Sequence, residues 1–419
     1  METVLLSLGI ALTIGLIMSR IVKLVGLPTV TGYLIGGILV GPYCLGRLGI
    51  HGLGFTTAEE VGSLKVISEL ALGFIAFSIG NEFRLSQLRK TGKQALIIGI
   101  AQAVITTLFV DVVLIGVYFV FLRDTLSLAS AITLGAIASA TAPAATLMVV
   151  HQYEAKGRLV DLLLPVVALD DAVGLVLFAV SFGIAKALNG GHFSVGAIVF
   201  EPILEILVSL LLGAIIGTLL TISEKFFLSR AKRLSVVVTA IILTVAISMY
   251  KFNVFGLSFS VSSLLVCMML GTMFCNESEY EFSTNLMERT DRWATPLLIA
   301  FFVISGAELE LGVFSKLSVV LVGVIFIISR SIGKYFGAYF SAKGVKCDRD
   351  IYRNLGITLL PQAGVAIGMC LKAQELGEDG HLIRNVILFA VLIYELIGPY
   401  LTKRALVRTG DIKKENLNK

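Results

Sequence analysis

Long apolar runs follow one another along almost the whole chain and are separated by short polar loops. A run of about 20 apolar residues can cross the roughly 30 Å of bilayer hydrocarbon as a helix. Backbone polar groups find no water partner there, so a spanning segment must be a helix or a strand of a closed barrel. The runs are too long and too uniformly apolar for the alternating strands of a barrel. The pattern therefore predicts an all-α membrane protein.

About thirteen transmembrane spans are predicted, with ends good to a few residues. Their ranges are 3–19, 27–43, 63–80, 94–121, 126–150, 159–187, 196–223, 234–250, 256–275, 293–312, 315–341, 350–374 and 382–402. The loops contain no linker and no additional domain. We therefore predict one transmembrane domain over residues 1–402 and a short basic tail over 403–419.

Composition and charge agree with a membrane location. Hydrophobic residues make up 56% of the chain and charged residues 15%, whereas soluble domains average about 25% charged. Most of the 34 Lys and Arg residues fall in alternate loops, which predicts a cytoplasmic C-terminus and an N-terminus outside the cell membrane. This bias accounts for the net charge of +5 without a nucleic-acid partner. The five cysteines are scattered, so no zinc site or disulfide framework is predicted.

The third and tenth predicted spans end in similar motifs, Phe77 to Leu85 and Val303 to Leu311. The matched positions are Gly80 with Gly306, Glu82 with Glu308, and Leu85 with Leu311. The two copies cross the membrane in opposite directions. Residues of about 3–187 and 234–402 are therefore predicted to be inverted six-span repeats joined by the span at 196–223. Inverted repeats are typical of secondary transporters, whose ion sites lie at the membrane midplane between broken helices.

Two adjacent carboxylates, Asp170 and Asp171, lie near the middle of the sixth span. A charged group at that depth costs about 2.5–3.5 kcal/mol on insertion scales, so intramembrane acids are functional by default. Desolvation and mutual repulsion favour proton uptake by such a pair near neutral pH. A carboxylate that trades a proton for a monovalent cation would make the chain a cation/proton exchanger. The alternative is a structural pair satisfied by neighbouring donors.

Two spans carry proline in mid-membrane, which predicts broken helices that cross at the midplane. The fifth contains Thr141, Ala142 and Pro143, and the twelfth contains Pro361 and Gln362. Proline removes a backbone donor and clashes with the preceding turn. The freed carbonyls, the Thr141 hydroxyl and the Gln362 amide are candidate ligands for a dehydrated cation.

Arg330 lies within the eleventh span. An unpaired guanidinium at this depth would be very costly, so it should face an acid or the carbonyl ends of helices. Asp170 or Asp171 is the expected partner. Lys334, one turn nearer the cytoplasm, is expected to extend to the membrane interface.

These features together resemble the bacterial monovalent cation:proton antiporters of family 2, in particular the sodium/proton type. The resemblance covers essentially the whole chain. It implies that Asp171 binds the cation and takes the proton, that Asp170 pairs with Arg330, and that Thr141–Ala145 and Pro361–Ala363 are the unwound segments. It also implies a homodimer in lipid, with a dimer domain and a moving core domain. The expected ions are H⁺ and Na⁺, with K⁺ or Li⁺ as alternatives, held by the aspartates and Thr141. No cofactor is implied.

Three departures from the family pattern bear on mechanism. The best-known electrogenic members have Lys where Arg330 stands, and arginine cannot release its proton. The Asp170–Asp171 pair therefore indicates electrogenic exchange, whereas Arg330 indicates electroneutral exchange. Potassium-efflux relatives generally have Gln-Asp at the pair and a C-terminal nucleotide-binding domain. This chain ends soon after the last span and has no GxGxxG motif, so no bound nucleotide is expected.

Three alternatives to a sodium/proton antiporter differ in what they require of the sequence. A K⁺-selective exchanger stays open because ligand types alone do not fix ion radius. An intramembrane aspartyl protease needs aspartates on two facing helices, whereas Asp170 and Asp171 lie about 100° apart on one helix. A non-transporting membrane sensor would need an effector domain that the sequence lacks. We therefore expect a transporter and not an enzyme.

Overall fold

The computed structural model describes residues 2–25, 27–50, 52–81, 84–123, 125–189, 195–227, 229–250, 252–254, 257–259, 261–308, 317–413 and 415–416. The described chain is almost entirely helical, as predicted. Its helices are α1 Glu2–Leu24, α2 Thr29–Val40, α3 Ala58–Gly62, α4 Lys65–Asn81, α5 Leu85–Val120, α6 Leu128–Ile137, α7 Pro143–Gln152, α8 Arg158–Leu188, α9 Val195–Glu224, α10 Arg230–Ser248, α11 Ser263–Glu277, α12 Tyr280–Ala307, α13 Leu317–Gly344, α14 Arg349–Thr358, α15 Gly364–Ala373 and α16 Glu378–Thr409. Two short strands, β1 Phe252–Val254 and β2 Leu257–Phe259, pair antiparallel between α10 and α11.

Eight of the described helices are long and apolar enough to cross a membrane. This finding agrees with a multi-pass membrane protein, and the number of thirteen spans stays a prediction. Several helices extend beyond the predicted spans. The last span was predicted to end at 402, whereas α16 continues to Thr409. Hydropathy marks only the part of a helix within hydrocarbon, and the polar turns beyond it are not visible in that pattern. Part of the predicted tail is thus helical, and buried Asp411 accepts a hydrogen bond from the Val160 N–H at 3.0 Å.

Glycine allows close backbone contact between several helices, and two of these helix pairs involve the repeated motif. On α2, a Cβ added at Gly37 would lie 2.0 Å from the Val303 carbonyl oxygen of α12. On α4, a Cβ added at Gly80 would lie 1.9 Å from the Met268 carbonyl oxygen of α11. Gly306, the predicted repeat mate of Gly80, makes the corresponding close contact from α12 to α2. The parallel supports the inverted repeat, which stays a prediction.

Other residues of the repeated motif, Glu82 and Leu311, lie outside the described residues.

Two helix breaks cross in the interior. The span predicted at 126–150 consists of α6 and α7, and the span predicted at 350–374 consists of α14 and α15. Pro143 occupies the first turn of α7, where a missing N–H costs nothing. The Ala142 N–H donates a hydrogen bond to the Pro361 carbonyl at 2.8 Å. The predicted pair of broken helices is therefore present, and the two breaks contact one another directly.

Candidate functional site

The crossing of the two breaks brings helix ends together. Helix α6 ends at Ile137 and α14 ends at Thr358. The last carbonyls of a helix have no intrahelical partner, and the helix dipole gives them partial negative charge. Two such ends buried beside one another need donors or cations. The two buried basic side chains of α13, Arg330 and Lys334, supply them.

Arg330 binds the carbonyls of both breaks. It is fully buried. Its Nε donates to the Ala138 carbonyl at 3.0 Å, its Nη2 to the Ala140 carbonyl at 2.7 Å, and its Nη1 to the Leu360 carbonyl at 2.8 Å. The Tyr394 ring lies 4.4 Å from the guanidinium carbon. Because the guanidinium is planar and carries its donors in a rigid fork, it can serve several carbonyls at once.

Lys334 lies one turn further along α13 and is also fully buried. Among the described residues, four oxygen atoms lie within hydrogen-bonding distance of its ammonium. These are Oδ2 of Asp170 at 2.6 Å, Oγ1 of Thr141 at 2.9 Å, Oε1 of Gln102 at 3.0 Å, and the carbonyl of Ser139. A buried ion pair is favourable only when further hydrogen bonds satisfy the remaining donors and acceptors, and this arrangement meets that condition.

Asp170 completes a compact polar cluster that we call the Asp170–Lys334 cluster, formed with Gln102, Ser139 and Thr141. The Thr141 hydroxyl donates to Asp170 Oδ2 at 2.5 Å, while the Gln102 amide nitrogen donates to Oδ1. Gln102 comes from α5, Thr141 from the first break, Asp170 from α8 and Lys334 from α13. The carboxylate therefore joins three helices to the broken segment, within a region closed to solvent.

The prediction that Asp170 forms an ion pair with Arg330 is wrong, because Asp170 is paired with Lys334. The expectation that Lys334 extends to the interface is wrong for the same reason. The expectation that Arg330 faces carbonyl ends is confirmed. Lys334 follows Arg330 by four residues, which places both on one face of α13, and that spacing was the available signal.

The predicted cation ligands whose side chains the structure describes lie at or beside this cluster. Thr141 contacts Asp170, and Ala142 and Pro361 join the two breaks. Gln362 donates from Nε2 to the Ile137 carbonyl at 2.9 Å, and its buried Oε1 has no hydrogen-bond partner in the described part of the protein. The Oε1 atom of Gln362 is therefore a candidate ligand for a cation.

Asp171 is also a predicted cation ligand. It follows Asp170 on α8, and its side chain lies outside the described residues. Its role as the cation and proton carrier stays a prediction.

Replacing Arg330 by Lys should lower the free energy of unfolding by about 2 kcal/mol or more, because one ammonium cannot reach all three carbonyls and buried acceptors would lose their donors. Denaturation of the purified protein in mixed detergent micelles measures this change. The same substitution at exposed Arg404 is the control and should have little effect. Equal losses for the two variants would contradict the bridging role of Arg330.

Comparisons with known proteins agree with a transporter fold. The family described as sodium/hydrogen exchanger, transmembrane, matches residues 8–408. A probable Na⁺/H⁺ antiporter 3 from Methanocaldococcus jannaschii is 23% identical over 410 residues, which cover 97% of this chain and 98% of the relative. An Na⁺/H⁺ antiporter from Enterococcus hirae is 22% identical over 414 residues, covering 94% and 96%. The electron-microscopy structure of the sodium proton antiporter MjNhaP1 from M. jannaschii has a TM-score of 0.72 at 17% identity and covers 98% of this chain and 96% of that one. The similarity to this solved structure is evidence of a shared fold.

Proposed function

Because the chain belongs to the sodium/hydrogen exchanger family, a family of ion transporters, we propose that it exchanges protons for a monovalent cation, with Na⁺ as the expected ion. Membership of this family confirms the resemblance to sodium/proton antiporters that the sequence predicts. The observation that carries the proposal is the fully buried Asp170–Lys334 ion pair beside two crossed helix breaks. Ionisable groups at this depth in membrane proteins mark ion and proton pathways.

The proposed cycle uses competition between a cation and protons. A dehydrated Na⁺ would bind the aspartates of α8 with oxygen ligands from Thr141 and Gln362. A cation arriving at Asp170 repels the ammonium of Lys334, which lies 2.6 Å from the carboxylate, and so favours release of its proton. Loss of the cation restores the ion pair. Asp171 carries the second proton in this scheme.

Alternating access would then expose the site to each side of the membrane in turn. We propose a homodimer in the cell membrane, with the C-terminus in the cytoplasm, as the distribution of basic residues predicts.

We propose that the exchange is electrogenic, and the identity of the partner of Asp170 supports this proposal. An arginine paired with Asp170 would favour electroneutral exchange, because arginine cannot release its proton. Since lysine makes the ion pair, two groups, Asp171 and Lys334, can each exchange a proton while one Na⁺ crosses. Such a cycle moves one net charge, so the membrane potential acts on it with about 2.3 kcal/mol per 100 mV.

Current measurement on a solid-supported membrane tests both the function and the stoichiometry. Proteoliposomes given Na⁺ at equal pH on both sides should produce a transient current whose sign reverses with the Na⁺ gradient. Li⁺ and K⁺ at the same concentration rank the cations, and a larger response to K⁺ would favour the K⁺-selective alternative. Proton-coupled uptake without current would show one-for-one exchange. Absence of proton-coupled uptake for all three ions would refute the proposed function.

A further inference from the structure

A cavity lies between α13, α14 and α16, away from the crossing of the two helix breaks, and has a volume of about 690 Å³. We call it the α13–α14–α16 pocket. Tyr335, Phe336 and Tyr339 form its aromatic wall, and Arg353 and Arg408 lie among its charged lining residues. None of these residues takes part in the Asp170–Lys334 cluster. The pocket thus combines an apolar wall with cationic groups.

The charge of the pocket is positive. Arg353 is on α14 and Arg408 is on α16, so two helices contribute guanidinium groups. Asp350 is the acidic residue that lines the pocket. Within the described part of the chain, neither arginine makes a hydrogen bond or ion pair with another residue, and both side chains are exposed. Two guanidinium groups that line one pocket without a partner among the described residues suit a phosphate, to which arginine binds through paired donors.

An apolar stripe leads to this pocket along α13. Ile328, Ile332, Phe336 and Phe340 are spaced by four residues and are all exposed large hydrophobic side chains. Residues at this spacing share one face of a helix. Because α13 is long and apolar enough to cross a membrane, such a face is suited to contact with lipid. Phe336 belongs both to the stripe and to the pocket lining, so the stripe and the pocket adjoin.

We propose that the α13–α14–α16 pocket binds an anionic phospholipid. Its phosphate lies between Arg353 and Arg408, and an acyl chain follows the stripe of α13. Basic pockets between transmembrane helices on the cytoplasmic side recognise anionic headgroups in this way. The aromatic wall and the adjoining stripe select a lipid over a free phosphate, because a free phosphate would leave both unused.

A lipid in this pocket would restrain the helices of the ion site. Tyr335 directly follows Lys334 on α13, and α14 packs closely there, since a Cβ added at Gly356 would lie 2.6 Å from the Tyr335 Cα. Helix α13 carries Lys334, and the break that follows α14 supplies the Leu360 carbonyl bound by Arg330. Bound lipid would therefore stabilise the protein against heat. The binding itself does not depend on the proposed exchange activity.

Thermal unfolding of the purified full chain in neutral detergent, with added phosphatidylglycerol or phosphatidylcholine of identical chains, tests this proposal. Native mass spectrometry counts the bound lipids. Phosphatidylglycerol should raise the Tm of the wild type and remain bound, whereas phosphatidylcholine should do so much less. The double variant Arg353→Gln, Arg408→Gln should require about tenfold more phosphatidylglycerol for the same effect.

The matched control is Arg349→Gln, Arg404→Gln, which removes the same charge from exposed arginines near the same helix ends but outside the pocket lining. This variant should respond like the wild type. An unchanged lipid response in the pocket variant would overturn the proposal, as would an equal loss in the control. Stabilisation by inorganic phosphate or glycerol phosphate equal to that by phosphatidylglycerol would also overturn it, because the site would then bind a soluble anion.

Discussion

Replacing Asp171 by Asn should abolish cation-driven proton exchange and leave the protein folded. An amide neither carries the exchangeable proton nor offers a full negative charge to a dehydrated cation, so both halves of the cycle fail together. The measurement is proton flux in proteoliposomes after a Na⁺ step, with a fluorescent pH indicator, and the flux should fall to that of protein-free vesicles. A normal Tm in detergent would show that the loss is not caused by unfolding.

The control for this variant is Asp161→Asn, which makes the same chemical change at an exposed position in the first turn of α8. It should retain exchange close to that of the wild type. Retention of half or more of the wild-type flux by Asp171→Asn would remove Asp171 from the role of carrier. The ion site would then have to be assigned to Asp170 alone.

Asp170 and Lys334 should be strongly coupled in stability. Removing one member of a buried ion pair leaves an uncompensated charge and typically costs about 3–5 kcal/mol. The single variants Asp170→Asn and Lys334→Met should each lower the free energy of unfolding by an amount of this order. The double variant should lose clearly less than the sum of the two, because it leaves no buried charge of the pair. Unfolding in mixed detergent micelles measures the change in the free energy of unfolding for each single variant and for the double variant.

The control is the exposed ion pair Arg158–Asp348, whose side chains are 81% and 60% exposed. The same two single variants and double variant are made there. Exposed ion pairs contribute only about 0–1 kcal/mol, so its single variants should change stability little. Strictly additive losses at Asp170 and Lys334 would show that the two charges are not coupled. A coupling between Asp170 and Arg330 as large as that with Lys334 would restore the pairing that the sequence suggested.

The helical architecture could be predicted from the sequence because its signals are local. Apolar runs of membrane-spanning length, and prolines such as Pro143 and Pro361 within them, need no knowledge of distant neighbours. The helix ends were less well predicted, as α16 shows by continuing to Thr409. Its last turns are polar, and polar residues at a membrane interface are compatible with either a helix or a loop.

The ion pair could not be predicted from the same signals. The four carbon atoms of a lysine stem let its ammonium reach either the interface or the interior, and only the position of acceptors decides between them. For Lys334 those acceptors come from residues far away in the chain, including Ser139 and Asp170. Gln102 was missed for another reason. A single uncharged amide in an apolar helix gives little indication that it will bind both members of an ion pair.

The two buried cations of α13 also constrain how the protein can be made. Each arginine or lysine at the centre of a helix adds about 2.5–3.5 kcal/mol to the free energy of insertion by the translocon. With Arg330 and Lys334 together, α13 would be a poor substrate for insertion on its own. Most of their partners lie on α5, on α8 and in the break after α6, all of which are synthesised earlier. Biogenesis of the second half should therefore depend on the first half already being in the bilayer, which would act as the template that receives α13.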